Sequence, residues 1–149
     1  MITLKPVLEA KIEVGVVQEI GATSKGIRKM IPIVGGTFVG QEMSGTILPG
    51  GADWQLIRPD GVAEIEAHYT MKTNDGVYIY IVNKGYRHGP PDIIEKLSQG
   101  LEVEAHQYYF RSTPTFEVEK GKYDWLTRNV FVGSGERHKQ YVSFKFYSC

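Results

Sequence analysis

Residues 62–73 read as a strand whose side chains alternate between apolar and polar from Ala63 to Lys72. Ala63, Ile65, Ala67, Tyr69 and Met71 fall on one face, and Glu64, Glu66, His68, Thr70 and Lys72 on the other. A period of two belongs to a strand with one buried and one solvated face. Asn74-Asp75-Gly76 supplies a hairpin turn, and residues 77–85 form the partner strand. This hairpin commits the chain to an antiparallel sheet, and the flanking segments must extend it.

They read accordingly. Residues 4–18 form a long first strand with Leu8, Ala10, Ile12, Val14 and Val16 on one face. A turn covers 21–26. Residues 27–34 make a second strand, in which Pro32 predicts an edge or a bulge. Gly35-Gly36 breaks it, and residues 37–48 make a third strand, whose Gly40 and Gly45 predict the sharp bends of a closing barrel. A short strand follows at 52–58. Gly89-Pro90-Pro91-Asp92 opens the best helix candidate, with Asp92 as its cap and Gly100 just past its end. Residues 104–119 read as a strand pair or as one strand interrupted at Pro114. Residues 123–126 look like a single helical turn, and 129–132 with 140–147 like a closing hairpin around 133–136.

Roughly eight to ten short strands with short connections and no βαβ rhythm predict an all-β fold. The expected architecture is an antiparallel β-barrel, calycin-like, closed or nearly closed, with one short helix in a single domain over residues 1–149. A barrel of about eight strands is wide enough for one small ligand.

Charge narrows the function. Lys plus Arg and Asp plus Glu are both 17, so the net charge is zero. That balance speaks against a nucleic-acid or anionic-membrane partner. Cys149 is the only cysteine, which excludes an intrachain disulfide and a cysteine metal cage. No basic-then-apolar leader opens the chain and no apolar run reaches membrane-spanning length, so a cytoplasmic location is expected. The histidines His68, His88, His106 and His138 show no ligand spacing, and no metal or cofactor is expected. Neither Gly35-Gly36 nor Gly133-Ser134-Gly135 precedes a helix, so no nucleotide loop is present.

The candidate site centres on Gly50-Gly51-Ala52-Asp53-Trp54 and the nearby Arg58 and Asp60, an acid, an aromatic and a base on a short strand held between two turns. Functionally, Trp54 stacks on a ligand, Arg58 binds its anionic group and Asp53 acts as acid or base. Structurally, the same residues plug a barrel end and cap a turn. Tyr109 and Arg111 share a strand face, and a fold-back at Pro114 would bring Glu117 to Arg111, as a second acid or as a buried ion pair. Tyr123, Trp125 and Asn129 read as a lid over a cavity or as a plug of the barrel base. Arg28 adds a further cation or a solvated strand charge. Glu66 and His68 read as an acid/base pair across a cavity or as part of a polar outer face.

Several motifs resemble a known family. They are Gly26-Ile27-Arg28, Pro32-Ile33-Val34-Gly35-Gly36-Thr37-Phe38-Val39-Gly40 and Leu48-Pro49-Gly50-Gly51-Ala52-Asp53-Trp54-Gln55. Asp60-Gly61, Thr73-Asn74-Asp75-Gly76, the segment Tyr109-Phe110-Arg111-Ser112-Thr113-Pro114-Thr115-Phe116-Glu117 and the segment 123–133 continue the series. Together they resemble the bacterial and fungal family called domain of unknown function 3237, or uncharacterised protein family 0311. The resemblance implies a small β-barrel and carries over no activity. It marks one departure, His68, where Arg often stands in that family.

Three functional classes fit these residues. The leading one is a barrel holding one small anionic or aromatic metabolite and performing a cofactor-free isomerisation, cyclisation or hydration. The others are a non-catalytic ligand-binding protein and a structural or interaction barrel with no ligand. A homodimer fits any of them, since exposed Val, Ile and Tyr strands need covering.

Overall fold

A computed structural model describes residues 1–149. The strands are β1 (Lys5–Val14), β2 (Gln18–Thr23), β3 (Gly26–Gly40), β4 (Ser44–Ile47), β5 (Gly51–Ile57), β6 (Ala63–Thr73), β7 (Tyr78–His88), β8 (Tyr109–Val118), β9 (Phe131–Arg137) and β10 (Tyr141–Ser148), and one helix, α1 (Pro91–Ser98), follows β7. All pairings are antiparallel, in the order β1-β10-β9-β8-β7-β6-β4-β3, and β1 also pairs with β3. The sheet therefore closes. It is an antiparallel barrel of eight strands with two extra strands: β4 and β5 share one position between β3 and β6, and β2 adds to the outer edge of β3.

The break expected at Gly35-Gly36 does not occur, because β3 runs through it. Its first half pairs with β2 and β5, and its second half with β1 and β4. The change of partners needs a bend. Gly36 provides it with φ +139°, and a Cβ there would strike the Lys11 carbonyl. A register shift opposite Glu13 and Val14 lies two residues from Pro32, the bulge that proline predicted. At Gly45 a side chain would run into the Lys72 carbonyl, so β4 crosses β6 at backbone contact.

Other boundaries also move. The first strand ends at Val14, and residues 18–23 form a separate strand. β8 is unbroken through Pro114, which lies opposite Asn83. Beyond Ser112 the other edge of β8 has no ladder with β9, so the missing N–H of proline costs no sheet bond. Glycines 133 and 135 lie inside β9 rather than in a turn. Asp92 makes no capping bond; Pro90 precedes the helix and Pro91 opens it, while Gly100 stands just past its end with φ +78°.

The inward faces build one core. Ala63, Ile65, Ala67, Tyr69 and Met71 of β6 are all buried, as the alternation required. At one end the interior is filled. Phe116 meets Phe131 edge-on at 5.0 Å, with Phe146 beside them and Met71, Ile79 and Leu126 fully enclosed. A 3-10 turn over Asp124–Thr127 covers this end. It is pinned by the β6–β7 turn: Asp75 accepts from the Thr73 hydroxyl at 2.6 Å, the Tyr123 hydroxyl at 2.8 Å and Lys122 at 3.3 Å.

Two outcomes follow for the fold. Gly36→Ala is expected to lower stability by about 1–3 kcal/mol, because it forces an L side chain into a left-handed, sterically closed position. Urea unfolding checks this, and an unchanged midpoint would mean the bend tolerates a Cβ. The donors around Asp75 hold its pKa down to about 2, the Thr73 hydroxyl first. A depressed carboxylate stabilises above its unfolded pKa and loses that contribution as pH falls through the folded value. The parent should therefore lose thermal stability between roughly pH 4 and pH 2, and Asp75→Asn should lose less over the same range. Parallel acid titration curves for the two proteins would contradict the assignment.

Candidate functional site

Alternation divides β5 into an inner and an outer face. Asp53 and Gln55 point into the barrel, while Trp54 points out and is 44% exposed. Asp53 faces Ala67 across the β5–β6 ladder, which pairs Ala52 with His68 and Asp53 with Ala67 and then resumes only at Leu56 with Glu64. Two rungs between them are absent, Gln55–Ile65 and Trp54–Glu66, and side chains bridge the second. Two side chains take over its hydrogen bonds: the Glu66 N–H donates to Asp53 Oδ1 at 3.0 Å, and Arg28 Nη1 donates to the Trp54 carbonyl at 2.8 Å. Oδ2 of Asp53 has only a long contact from Gln55 Nε2, 3.4 Å.

Asp53 belongs to a cavity of about 110 Å³ at the end of the barrel opposite the aromatic plug. Arg87 of β7 and Arg137 of β9 reach the same cavity, with Tyr69 and Asn83 deeper in the barrel. Apolar walls come from Ile33, Phe110, Val142 and Phe144, among others. Neither guanidinium has an acidic partner within salt-bridge distance or a side-chain hydrogen bond. Arg87 lies only against the Phe110 ring, 5.3 Å from its centroid. The Tyr69 hydroxyl and Asn83 Oδ1 are buried and have no hydrogen-bond partner.

The electrostatics follow from enclosure. Burial pushes the Asp53 carboxyl up, against the Glu66 N–H, Arg87 and Gln55, which favour its charged form. Burial, reinforced by neighbouring Arg137, pulls Arg87 down to about 10, while Asp53 and Tyr108 oppose the shift. Burial also lowers Arg137. The result is a small chamber with two cations that make no direct ion pair, one carboxyl biased towards its protonated form and two unpaired polar groups. Bound to a ligand, such a chamber can fix an anion and move a proton.

The rim is built around His138, which contacts Glu102 at 3.1 Å and stacks on Tyr141 with ring centroids 4.4 Å apart. Glu102 lies just beyond α1, so this contact ties the segment after the helix to the cavity edge.

The other candidate residues lie elsewhere. Arg28, Trp54, Tyr109 and Arg111 meet in an open groove of about 1170 Å³ on the outer face, together with Tyr86 and Lys84. Arg111 has no acidic partner; it donates to the Phe110 carbonyl at 3.0 Å and lies over Tyr109. Because β8 does not fold back, Glu117 stays on the exposed face six positions along the strand, at a distance of roughly 20 Å. Arg58 is committed to Asp60 at 2.6 Å and Glu64 at 3.5 Å on the exposed β5–β6 turn. Tyr123, Trp125 and Asn129 belong to the closed end: Trp125 lies against Phe131, and the Asn129 amide donates to the Trp125 carbonyl at 2.7 Å. Their arrangement is that of a plug, far from Asp53. His68 and Glu66 lie on the outer sheet face, where the imidazole joins Glu66 at 3.0 Å and the Tyr80 hydroxyl at 2.7 Å.

Sequence reasoning passed over Arg87, Arg137, Asn83, Gln55 and Tyr69. The signal was available in part. Counting by twos from Ile79 and Ile81 reaches Asn83, Gly85 and Arg87, and from Phe131 it reaches Gly133, Gly135 and Arg137. Each is a polar or charged ending on an otherwise inward face.

An arginine kept in such a place for folding alone would have a partner. Arg87→Met is therefore expected to leave stability equal to or above that of the parent, since it removes a desolvated, unpaired charge beside a second cation. A thermal melt decides: a loss of about 3 kcal/mol or more would give Arg87 a structural role instead.

The comparisons agree with this architecture. Proteins described as "Protein of unknown function (DUF3237)" match residues 2–149 of the chain. A UPF0311 protein from Rhodopseudomonas palustris (strain TIE-1) is 40% identical over 145 residues, covering 93% of this chain and 95% of its own length. The crystal structure of a conserved protein of unknown function from Rhodopseudomonas palustris superposes with a TM-score of 0.91 at 38% identity, covering 99% of this chain and 98% of that one. The crystal structure of an enzyme from Penicillium herquei has a TM-score of 0.70 at 18% identity over 97% of this chain and 93% of that one, a likeness of fold alone. The barrel, the near-complete family match and the close bacterial relative together place this chain in the DUF3237 family, also called UPF0311.

Proposed function

We propose that the protein binds one small anionic molecule inside the open end of its barrel and transfers a proton to or from it with Asp53. The observation that carries this reading is the pair Arg87 and Arg137, enclosed in one cavity without an acidic partner. A buried guanidinium at Arg87 and a half-buried one at Arg137 are costly unless something neutralises them, and Asp53 supplies at most one negative charge. Asp53 has the properties of a general acid or base: burial raises its pKa, and one carboxyl oxygen is nearly free of protein donors. Proton transfer suffices for an isomerisation or a cyclisation without a cofactor, and with a water molecule as the added reactant it also suffices for a hydration. The fungal enzyme of similar outline supports the scaffold as one compatible with catalysis and assigns no reaction.

A second reading, a non-catalytic binding protein, is favoured by one contact. Asp53 Oδ1 replaces a missing ladder bond by accepting from Glu66 N–H, a duty it would have without any chemistry.

Native mass spectrometry of the protein purified from its own cells, followed by denaturation, tests the common part. The parent should release a small molecule that folded Arg87→Met does not carry; retention by the variant would refute the interior site. Turnover of that molecule separates the two readings. Asp53→Asn should bind it and lose about 10²–10⁴-fold in rate if Asp53 is the acid or base, whereas absence of turnover by the parent supports binding alone.

A further inference from the structure

We infer that the group held in the barrel interior is a single carboxylate on a short aliphatic body, gripped by Arg87 and Arg137. This rests on the interior site proposed above and names the chemistry that fits it. Size sets the first limit. The enclosed space is about 110 Å³, whereas an apolar cavity of about 150 Å³ is what holds a benzene ring. The chamber thus takes a head group and a few carbons, and an aromatic ring would have to remain at the mouth.

Charge type sets the second limit. Many phosphate sites in proteins add free backbone N–H groups, at helix N-termini or in glycine-rich nests, to their cationic side chains. Here most of the walls are strands whose N–H groups serve the ladders; at the loop edges the Gly15 and His138 N–H groups donate to the Pro32 and Tyr141 carbonyls, and that of Glu66 is taken by Asp53. What remains is two guanidinium forks, with Lys139 on the same lining; the forks match a carboxylate or a phosphate, so the charge of the surroundings decides between them. A monoanion also suits the surroundings better than a dianion, because Asp53 shares the space and much of the lining is Ile, Val, Ala and Phe.

The remaining polar groups complete the fit. Asn83 is 1% exposed and Tyr69 is 2% exposed, and both line the same cavity. Asn83 Oδ1 needs a donor. A hydroxyl on the aliphatic body or a buried water satisfies it, at a depth the carboxylate does not occupy. Asp53 Oδ2, when protonated, faces the same space as a donor.

The test is an NMR titration of isotope-labelled protein with acetate, propionate and butyrate, their primary amides, benzoate and inorganic phosphate. Propionate or butyrate should shift the side-chain signals of Arg87, Arg137 and Asn83. The amides, phosphate and benzoate should bind at least about tenfold more weakly there. Arg87→Met and, independently, Arg137→Gln should each abolish the response while keeping a folded spectrum. If one variant fails to fold, the other decides. Equal binding of an amide, or tighter binding of phosphate or benzoate inside the barrel, would overturn the carboxylate assignment and leave the interior site intact. No interior response to any compound, or shifts confined to Trp54 and Arg111 in the outer groove, would overturn the carboxylate assignment and the interior site together.

Discussion

The structure depends on β1 being paired along both of its edges. From Leu8 to Glu13 it holds β10 on one side and β3 on the other, and this double ladder turns a twisted sheet into a tube. Closure removes most of the free edges that would otherwise invite association, leaving one on β2 and one on β8 beyond Ser112. It also fixes which residues face inward, because one interior is now shared by all eight positions. The bend of β3 at Gly36 makes this pairing feasible, since a single strand must serve β2 and β5 in its first half and β1 and β4 in its second.

Closure also creates a space that the two ends use differently. Near the Asn74–Gly76 turn, phenylalanines and the Tyr123–Leu126 segment fill the tube, and the energetics are those of ordinary close packing. At the other end the inward positions carry Asp53, Gln55, Asn83, Arg87 and Arg137, which cannot pack as hydrocarbon and do not neutralise one another. Buried polar groups in a native fold are normally satisfied; here the Tyr69 hydroxyl and Asn83 Oδ1 in this cavity are not, nor is Ser112 Oγ on the other side of the wall.

The opening between β5 and β6 links this interior to the outer groove. Asp53 closes the missing rung from inside and Arg28 from outside, through the Glu66 N–H and the Trp54 carbonyl. The Asp53-Trp54 pair therefore divides its work across the wall: the acid belongs to the chamber and the indole to the surface. The conformation of β5 and the polarity of the chamber are thus coupled through a single carboxylate.

Alternation and turn chemistry determined much of this protein. The alternation of residues 62–73, the Asn74-Asp75-Gly76 turn and the regular spacing of short strands favoured an antiparallel barrel, and the same alternation put Tyr69 and Met71 on one face, which closure made the inner one. Asp53 was recognisable as an acid on a short, bounded strand. Its partners were not, because they lie 34 and 84 positions further on, at Arg87 and Arg137. Only the register of β6 through β10 brings them to the same end of the tube. Tertiary structure also separated residues that looked like one site. A period of two sends Asp53 inward and Trp54 outward, and the unbroken β8 keeps Glu117 away from Arg111. Local sequence sets which way a side chain alternates. Closure and register set where along the barrel it ends, and the function depends on that second quantity.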